Sequence, residues 1–194
     1  EILKLRDASK AYGEDIILKH VNLTVKSGET VGVIGKNGSG KTTLLNLLSG
    51  DIHPSGGTVK VAMQDRNLKE AYQNRTMYRR FFGFGRQEPS FYTHLTVSEN
   101  LHYFGSQYGL TKDILKENIE WLLTSLTLNK HRNKVASDLS GGMRKRLDIA
   151  CSLVHKPNFA FFDEPTADLD PGLRVDIWNF INSLSEDGIT VVFS

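Results

Sequence analysis

Apolar and polar residues alternate along Ile2-Leu3-Lys4-Leu5-Arg6 and again from Ile16 to Val25, the two-residue period of half-buried strands. Tyr12-Gly13 supplies a turn between them. Thr30-Val31-Gly32-Val33-Ile34 is a short apolar run between glycines and predicts a buried strand. The period then lengthens. From about Lys41 the residues Leu44, Leu45, Leu47 and Leu48 fall on one face of a helix, which ends before the turn His53-Pro54-Ser55-Gly56-Gly57. Strands are expected at Thr58 to Met63 and at Phe81 to Arg86, with the polar residues 64–80 showing neither period. Beyond Gln87 helical spacing dominates from about Val97 to Leu126, carried by Ile114, Leu115, Ile119, Leu122, Leu123 and Leu126. Strands return at Phe159 to Asp163 and Thr190 to Phe193, on either side of an amphipathic helix around Val175 to Leu184. The pattern predicts an α/β fold: a mixed sheet with a mainly parallel centre, antiparallel strands at the N-terminus, and an inserted helical part. No internal repeat or low-complexity stretch interrupts it.

Length allows one domain over residues 1–194, divided into a core of 1–87 and 158–194 and a helical subdomain of 88–157. With 24 basic against 22 acidic residues, the net charge of +2 gives no support for a nucleic-acid partner. The triplet Arg144-Lys145-Arg146 is expected to be a solvated helix face. No apolar run approaches the roughly 20 residues that a membrane span needs, and no secretory leader is visible. The single cysteine, Cys151, lies among Ile149, Ala150 and Leu153 and reads as a buried helix residue. The chain opens at Glu1 without a Met and stops at Ser194 behind an apolar strand, so both ends read as cut.

Gly35-Lys36-Asn37-Gly38-Ser39-Gly40-Lys41-Thr42 fits the phosphate-loop pattern, and it lies between an expected strand and an expected helix. Its glycines allow a tight turn whose N–H groups point at an anion, and the loop, continuing into Thr43, enters the positive end of a helix. Lys41 is placed for β- and γ-phosphates, and the Thr42 hydroxyl for Mg²⁺. A guanine reader would need Asn-Lys-x-Asp. The nearest match, Asn129-Lys130-His131-Arg132, lacks the aspartate, which favours ATP.

Phe159-Ala160-Phe161-Phe162-Asp163-Glu164 is an apolar strand that ends in two acids. Strands this apolar lie inside sheets covered on both faces, and ligand sites open at their C-terminal ends. Asp163 is placed to hold Mg²⁺ through water, and Glu164 to polarise a water for attack on the γ-phosphate.

Leu139-Ser140-Gly141-Gly142-Met143 resembles the signature sequence of the ATP-binding cassette (ABC) family, and the other motifs follow in family order. The resemblance covers nearly the whole chain. It implies a P-loop NTPase core and makes Tyr12 the aromatic that stacks on adenine. Gln87 becomes the glutamine that contacts Mg²⁺ and water and senses the membrane partner. Asp168 and Asp170, after Glu164-Pro165-Thr166-Ala167, fall in the loop that links two opposed sites. Ser140, Gly141 and Gly142 open an expected helix, Gly142 to about Leu153, and so form half of an anion site at its positive end. In the family that half closes on the γ-phosphate held by a second cassette.

The resemblance therefore implies an ATPase that dimerises around two ATP. It would sit in the cytoplasm against the inner face of the membrane and drive separate transmembrane subunits. Met143, in place of the commoner glutamine, and Gln87-Glu88-Pro89-Ser90-Phe91-Tyr92 are similar to exporter-type cassettes. Ala167-Asp168 departs from the usual Ser-Ala. The family's switch histidine is expected just beyond Ser194, so the chain as it stands is expected to bind ATP and turn it over poorly. The aromatics Phe91, Tyr92, Tyr103, Phe104 and Tyr108 suit either a groove for a membrane subunit's helix or the core of the helical part. Two rival readings are a soluble ABC ATPase of DNA repair or translation, and a cassette that binds ATP without hydrolysing it. The first meets an interval between phosphate loop and signature without sustained heptads, and a single cassette; the second meets intact Lys41, Asp163 and Glu164.

Overall fold

The structure is a computed structural model that describes residues 2–62, 68–72 and 79–194. The antiparallel and parallel strands fall into two four-stranded sheets. In the first, β1 (Leu3–Tyr12) pairs with β2 (Asp15–Val25) and with β4 (Gly56–Ala62), which in turn pairs with β5 (Leu68–Glu70), all antiparallel. β1 runs well past Arg6 because a bulge repairs its broken alternation. Leu3 and Leu5 face inward, Asp7 takes a left-handed φ of 52° and donates its N–H to Asn22, and Ala8 faces inward again. β4 begins two residues before the expected Thr58, and Met63, at the other end of that expected strand, lies outside the described residues.

The second sheet is wholly parallel, in the order β3 (Thr30–Gly32), β8 (Thr190–Phe193), β7 (Phe159–Phe162), β6 (Phe82–Gly85). Every residue of β7 is buried. Phe159 and Phe161 face one hydrophobic cluster and Ala160 and Phe162 the other, which is why this strand is apolar without alternation. The expected strand Thr30–Ile34 is shorter, although the Val33 N–H still donates to Phe193 O at 2.7 Å. The expected strand Phe81–Arg86 narrows likewise: Arg79–Phe81 form a 3₁₀ turn, and Arg86 leaves the sheet to pair with Asp51 at 3.3 Å.

Helix α1 (Lys41–Leu48) packs its four leucines between the two sheets, against Leu3, Leu5, Val59, Phe159 and Phe161 among others. Helices α2 (Val97–Ser106), α3 (Lys112–Ser125), α4 (Gly141–Leu153) and α5 (Pro171–Glu186) bury their apolar faces in the other cluster, with β7 and β8. The helical run expected over 97–126 is two helices, because Gly109 takes a left-handed φ of 68° and Thr111 caps a fresh start with its side chain. Gly83 of β6 lets that strand lie against the Ser152 carbonyl of α4, where a Cβ would clash. Cys151 is buried in α4, and burial pushes its thiol well above the usual cysteine range.

Candidate functional site

Of the five α-helices among the described residues, α2, α3, α4 and α5 begin with a side-chain cap from Thr96, Thr111, Ser140 and Asp170. α1 has none. Its N-cap is Gly40 at φ 91°, and no acid occupies its first turn. The N–H groups at this helix start are thus left for an external acceptor, and the helix dipole makes that acceptor an anion. The loop Gly35–Gly40 wraps over this end. Ser39 N–H closes a turn onto Lys36 O at 3.1 Å, Gly38 adopts φ 78°, and Lys41 Nζ bonds the Gly35 and Lys36 carbonyls at 3.1 and 3.3 Å.

An open cleft of about 500 Å³ lies over the loop, lined by Asn37, Gly38, Gly40, Lys41, Thr42 and Thr43. Tyr12, about half exposed, and Ile17 complete its wall on the antiparallel side; Gln87 and Glu164 complete it on the parallel side. Gly35, Lys36 and Ser39 shape the loop without lining the cleft. Ile17 was missed in the sequence because one more apolar residue in an alternating strand carries no signal of its own.

The carboxylates converge below. Asp163 is 4% exposed, and its Oδ2 accepts from the Thr42 hydroxyl at 2.6 Å. Its Oδ1 accepts from the Ser194 hydroxyl at 2.6 Å. Among the described residues no cation stands within 4 Å of this buried carboxylate. A buried charge so placed is short of positive charge, and with a neighbouring hydroxyl it suits a hard, oxygen-seeking cation such as Mg²⁺. Glu164 follows at a left-handed φ of 49°. Its carboxylate lies 3.8 Å from Lys41 Nζ and accepts from Gln87 Nε2 at 3.4 Å. Ten of the expected site residues, Tyr12, Asn37, Gly38, Gly40, Lys41, Thr42, Thr43, Gln87, Asp163 and Glu164, thus gather around one cleft and its base.

The signature does not join them: no residue of Leu139–Met143 lines the cleft. Leu139 is buried and Met143 packs against the helical cluster. Ser140 is exposed, and its Oγ accepts the Met143 N–H at 3.4 Å, a long cap. Gly142 is buried, and a Cβ there would run into the Leu173 side chain, which would have to shift to admit it. Gly141 is different. It is exposed, its φ is not left-handed, and a Cβ there meets nothing within 4 Å. Beside it opens a second groove of about 370 Å³ that includes Lys130, His131, Ser140 and Leu173. The basic triplet is engaged within the chain: Arg144 donates to the Leu139 and Ser137 carbonyls, Lys145 to Arg86 O, and Arg146 to Leu126 O and Asp176. In the linking stretch, Asp168 is exposed at φ 58°, and Asp170 accepts the Leu173 N–H as the cap of α5.

A polar cluster ties α4 to the segment after Gln87. Asp148, buried, accepts from the Ser90 N–H at 2.8 Å and the Ser90 hydroxyl at 3.1 Å. Burial raises the Asp148 carboxyl above the ordinary range and lowers the Lys145 ammonium, against the pull of Asp148, Asp163 and Glu164. Past the end of α4, the His155 ring stacks on Tyr108 at 3.6 Å, and its Nε2 meets Phe82 O at 3.1 Å. Burial lowers its pKa to about 4, so the ring is neutral near pH 7 and Nε2 carries the proton. Of the five aromatics expected to be groove or core, Phe91 is buried and Tyr92 and Tyr103 are about 40% exposed, edge to face. Phe104 and Tyr108 line a separate groove with Asp51, Phe84 and Arg86.

The family model for "ABC transporter" matches residues 18–167. The Nod factor export ATP-binding protein I of Cupriavidus pinatubonensis is 36% identical over the whole chain, which covers 58% of that protein. The linearmycin resistance ATP-binding protein LnrL of Bacillus subtilis is 32% identical, again over the whole chain and 60% of that protein. The chain spans from about a third to three fifths of the length of such curated relatives. Among solved structures, the ATP-binding cassette MJ0796, a dimer in a post-hydrolysis state bound to ADP and Pi, superposes with a TM-score of 0.84 and 30% identity. That match covers 99% of this chain and 87% of that one. CbiO1 from Clostridium perfringens, part of the cbiONQ transporter complex, superposes at 0.86 with 27% identity over 99% and 77%. Among the described residues, no helix is long and apolar enough to cross a membrane.

Proposed function

Because this chain belongs to the ABC transporter family, as one of its ATP-binding cassettes, we propose that it hydrolyses ATP in a sandwich of two cassettes and thereby drives separate membrane subunits in export. The observation that carries this is the gathering of Lys41, Thr42, Asp163, Glu164 and Gln87 at the one α-helix start that lacks a side-chain cap among the described residues. A triphosphate lying on that start takes the free N–H groups, and Lys41 exchanges its loop carbonyls for phosphate oxygens. Tyr12 and Ile17 flank the base. Thr42 and Asp163 would hold Mg²⁺, and the ion would supply charge neutralisation to the phosphates. Glu164 accepts a proton from water as its oxygen bonds the γ-phosphorus, and the bond to the β-phosphate oxygen breaks to leave ADP and phosphate. Gln87 steadies Glu164 and the water.

The partner cassette is inferred from Gly141. Among the described residues nothing within 4 Å would meet a Cβ there, so the glycine is accounted for by close approach of a second molecule. Ser140, Gly141 and the dipole of α4 then face the partner's γ-phosphate, with Asp168 and Asp170 between the two sites. Export is supported by the relatives, one of which is named for export and another for resistance. Mg²⁺ dependence is supported by the Thr42–Asp163 pair, and a position at the inner membrane face is part of the same proposal. The test is ATP binding and phosphate release by the unaltered protein, Lys41→Ala and Glu164→Gln. The proposal expects Lys41→Ala to lose binding and Glu164→Gln to bind without turnover. Phosphate release undiminished by Glu164→Gln would refute the mechanism.

A further inference from the structure

Just past β8, the Ser194 hydroxyl stands between the two groups that hydrolysis needs. It donates to Asp163 Oδ1 at 2.6 Å and accepts the Glu164 backbone N–H at 3.0 Å. A hydroxyl has one proton and two lone pairs, so both bonds form at once. Ser194 is itself fixed by its N–H to Phe162 O at 3.0 Å, which continues the pairing of β7 with β8.

Two consequences follow. Thr42 already bonds Asp163 Oδ2, so with Ser194 on Oδ1 both oxygens of this buried carboxylate are fixed and its rotamer is determined. Glu164, next in sequence, holds a left-handed φ of 49°, which a residue with a Cβ keeps only when its surroundings over-determine it. The Ser194 oxygen on the Glu164 N–H is one such restraint, and that backbone conformation is what aims the Glu164 carboxylate at Lys41 and Gln87. An apolar residue at position 194 would satisfy the strand equally well. It would leave Asp163 Oδ1 unpaired in a buried place and release the Glu164 N–H.

We propose that Ser194 is a positioning residue of the hydrolytic site, one hydroxyl that orients the metal-side carboxylate Asp163 and the water-side residue Glu164 together. The inference rests on the reading of the cleft as a Mg-ATP site, and the test separates the two. ATP affinity is measured with and without Mg²⁺, together with phosphate release, for the unaltered protein, Ser194→Ala, Ser194→Thr and Lys41→Ala. Ser194→Ala is expected to bind metal-free ATP within about twofold of the unaltered protein and to lose about tenfold of the gain in affinity that Mg²⁺ gives. Its phosphate release should fall by about 10- to 100-fold. Ser194→Thr, which keeps the hydroxyl, should recover both to within about threefold, by the same hydrogen-bond reasoning. Full Mg²⁺ enhancement and full turnover in Ser194→Ala would overturn the role, and so would a Ser194→Thr as impaired as Ser194→Ala, because the loss would then belong to packing. ATP binding by the unaltered protein that ignored both Mg²⁺ and Lys41→Ala would instead bring down the Mg-ATP reading beneath it.

Discussion

The N-terminal ends of α1 and α4 are built from similar small residues and finished in opposite ways. α1 starts at a left-handed glycine, without a side-chain cap, inside a cleft that already holds Lys41 and Glu164, with Asp163 bonded to Thr42 at its base. α4 starts at a serine that caps its own helix, on an open surface, with one glycine spent on packing against Leu173 and one spent on nothing in the chain. The first end is a site complete on one side. The second has the positive end of a helix dipole and an open approach at Gly141. Under the proposed function, that difference assigns the chemistry to one end and the recognition of another copy's phosphate to the other.

The largest expected break in this comparison is at the chemical end. Glu164→Gln should lower phosphate release by roughly 10²- to 10⁴-fold, the range for loss of a general base, with ATP affinity retained. Such a change at α4 has no counterpart, because no acid lies in its first turn.

Acid should separate the two helices next. α1 is held by its buried leucines and the Thr42–Asp163 bond, with no histidine in it, whereas the far end of α4 is held by neutral His155 between Tyr108 and Phe82. Its pKa of about 4 in the folded protein lies below the unfolded 6.5, so the unfolded chain takes up the proton first as pH falls. This stability is present in full above about pH 6.5 and drains away between there and about pH 4, up to about 3 kcal/mol. Hydrogen exchange should show the end of α4 loosening before α1 in that window, and His155→Gln should flatten the dependence. An unchanged profile in the variant would contradict the assignment.

The two signature glycines sharpen the comparison within one helix turn. Gly142→Val is expected to cost about 1–3 kcal/mol in denaturant unfolding, through the clash with Leu173. Gly141→Val should leave stability within about 1 kcal/mol and abolish ATP-dependent pairing. Equal effects on stability would remove the reason for assigning Gly141 to a partner. The smallest effect is at the cap: Ser140→Ala should lower stability by about 0.5 kcal/mol, since the Ser140–Met143 bond is long at 3.4 Å.

Much of this was legible in the sequence where residue type and spacing act locally. The glycine loop, the uninterrupted apolar strand before Asp163 and the leucine face of α1 each carry their own pattern, and the structure assembles them at one cleft. The division into two sheets was not legible, because pairing between β1 and β4 or β3 and β8 joins distant residues and leaves no local mark. The bulge at Asp7 and the break at Gly109 were missed for a related reason: a single left-handed residue resets a period without altering composition. Ser194 and Asp148 escaped because a lone serine or a helical acid is ordinary until the fold sets Asp163 or Ser90 beside it. Asp170, placed in the linking loop by resemblance, also has the plain task of capping α5.

The central claim, that the uncapped end of α1 and the signature end of α4 meet across two copies, is tested most directly by sedimentation of Glu164→Gln with and without Mg-ATP. The expected result is a monomer that becomes a dimer when Mg-ATP is added and returns to monomer with Gly141→Val in the same background. A monomer under saturating Mg-ATP, with binding confirmed on the same sample, would contradict it.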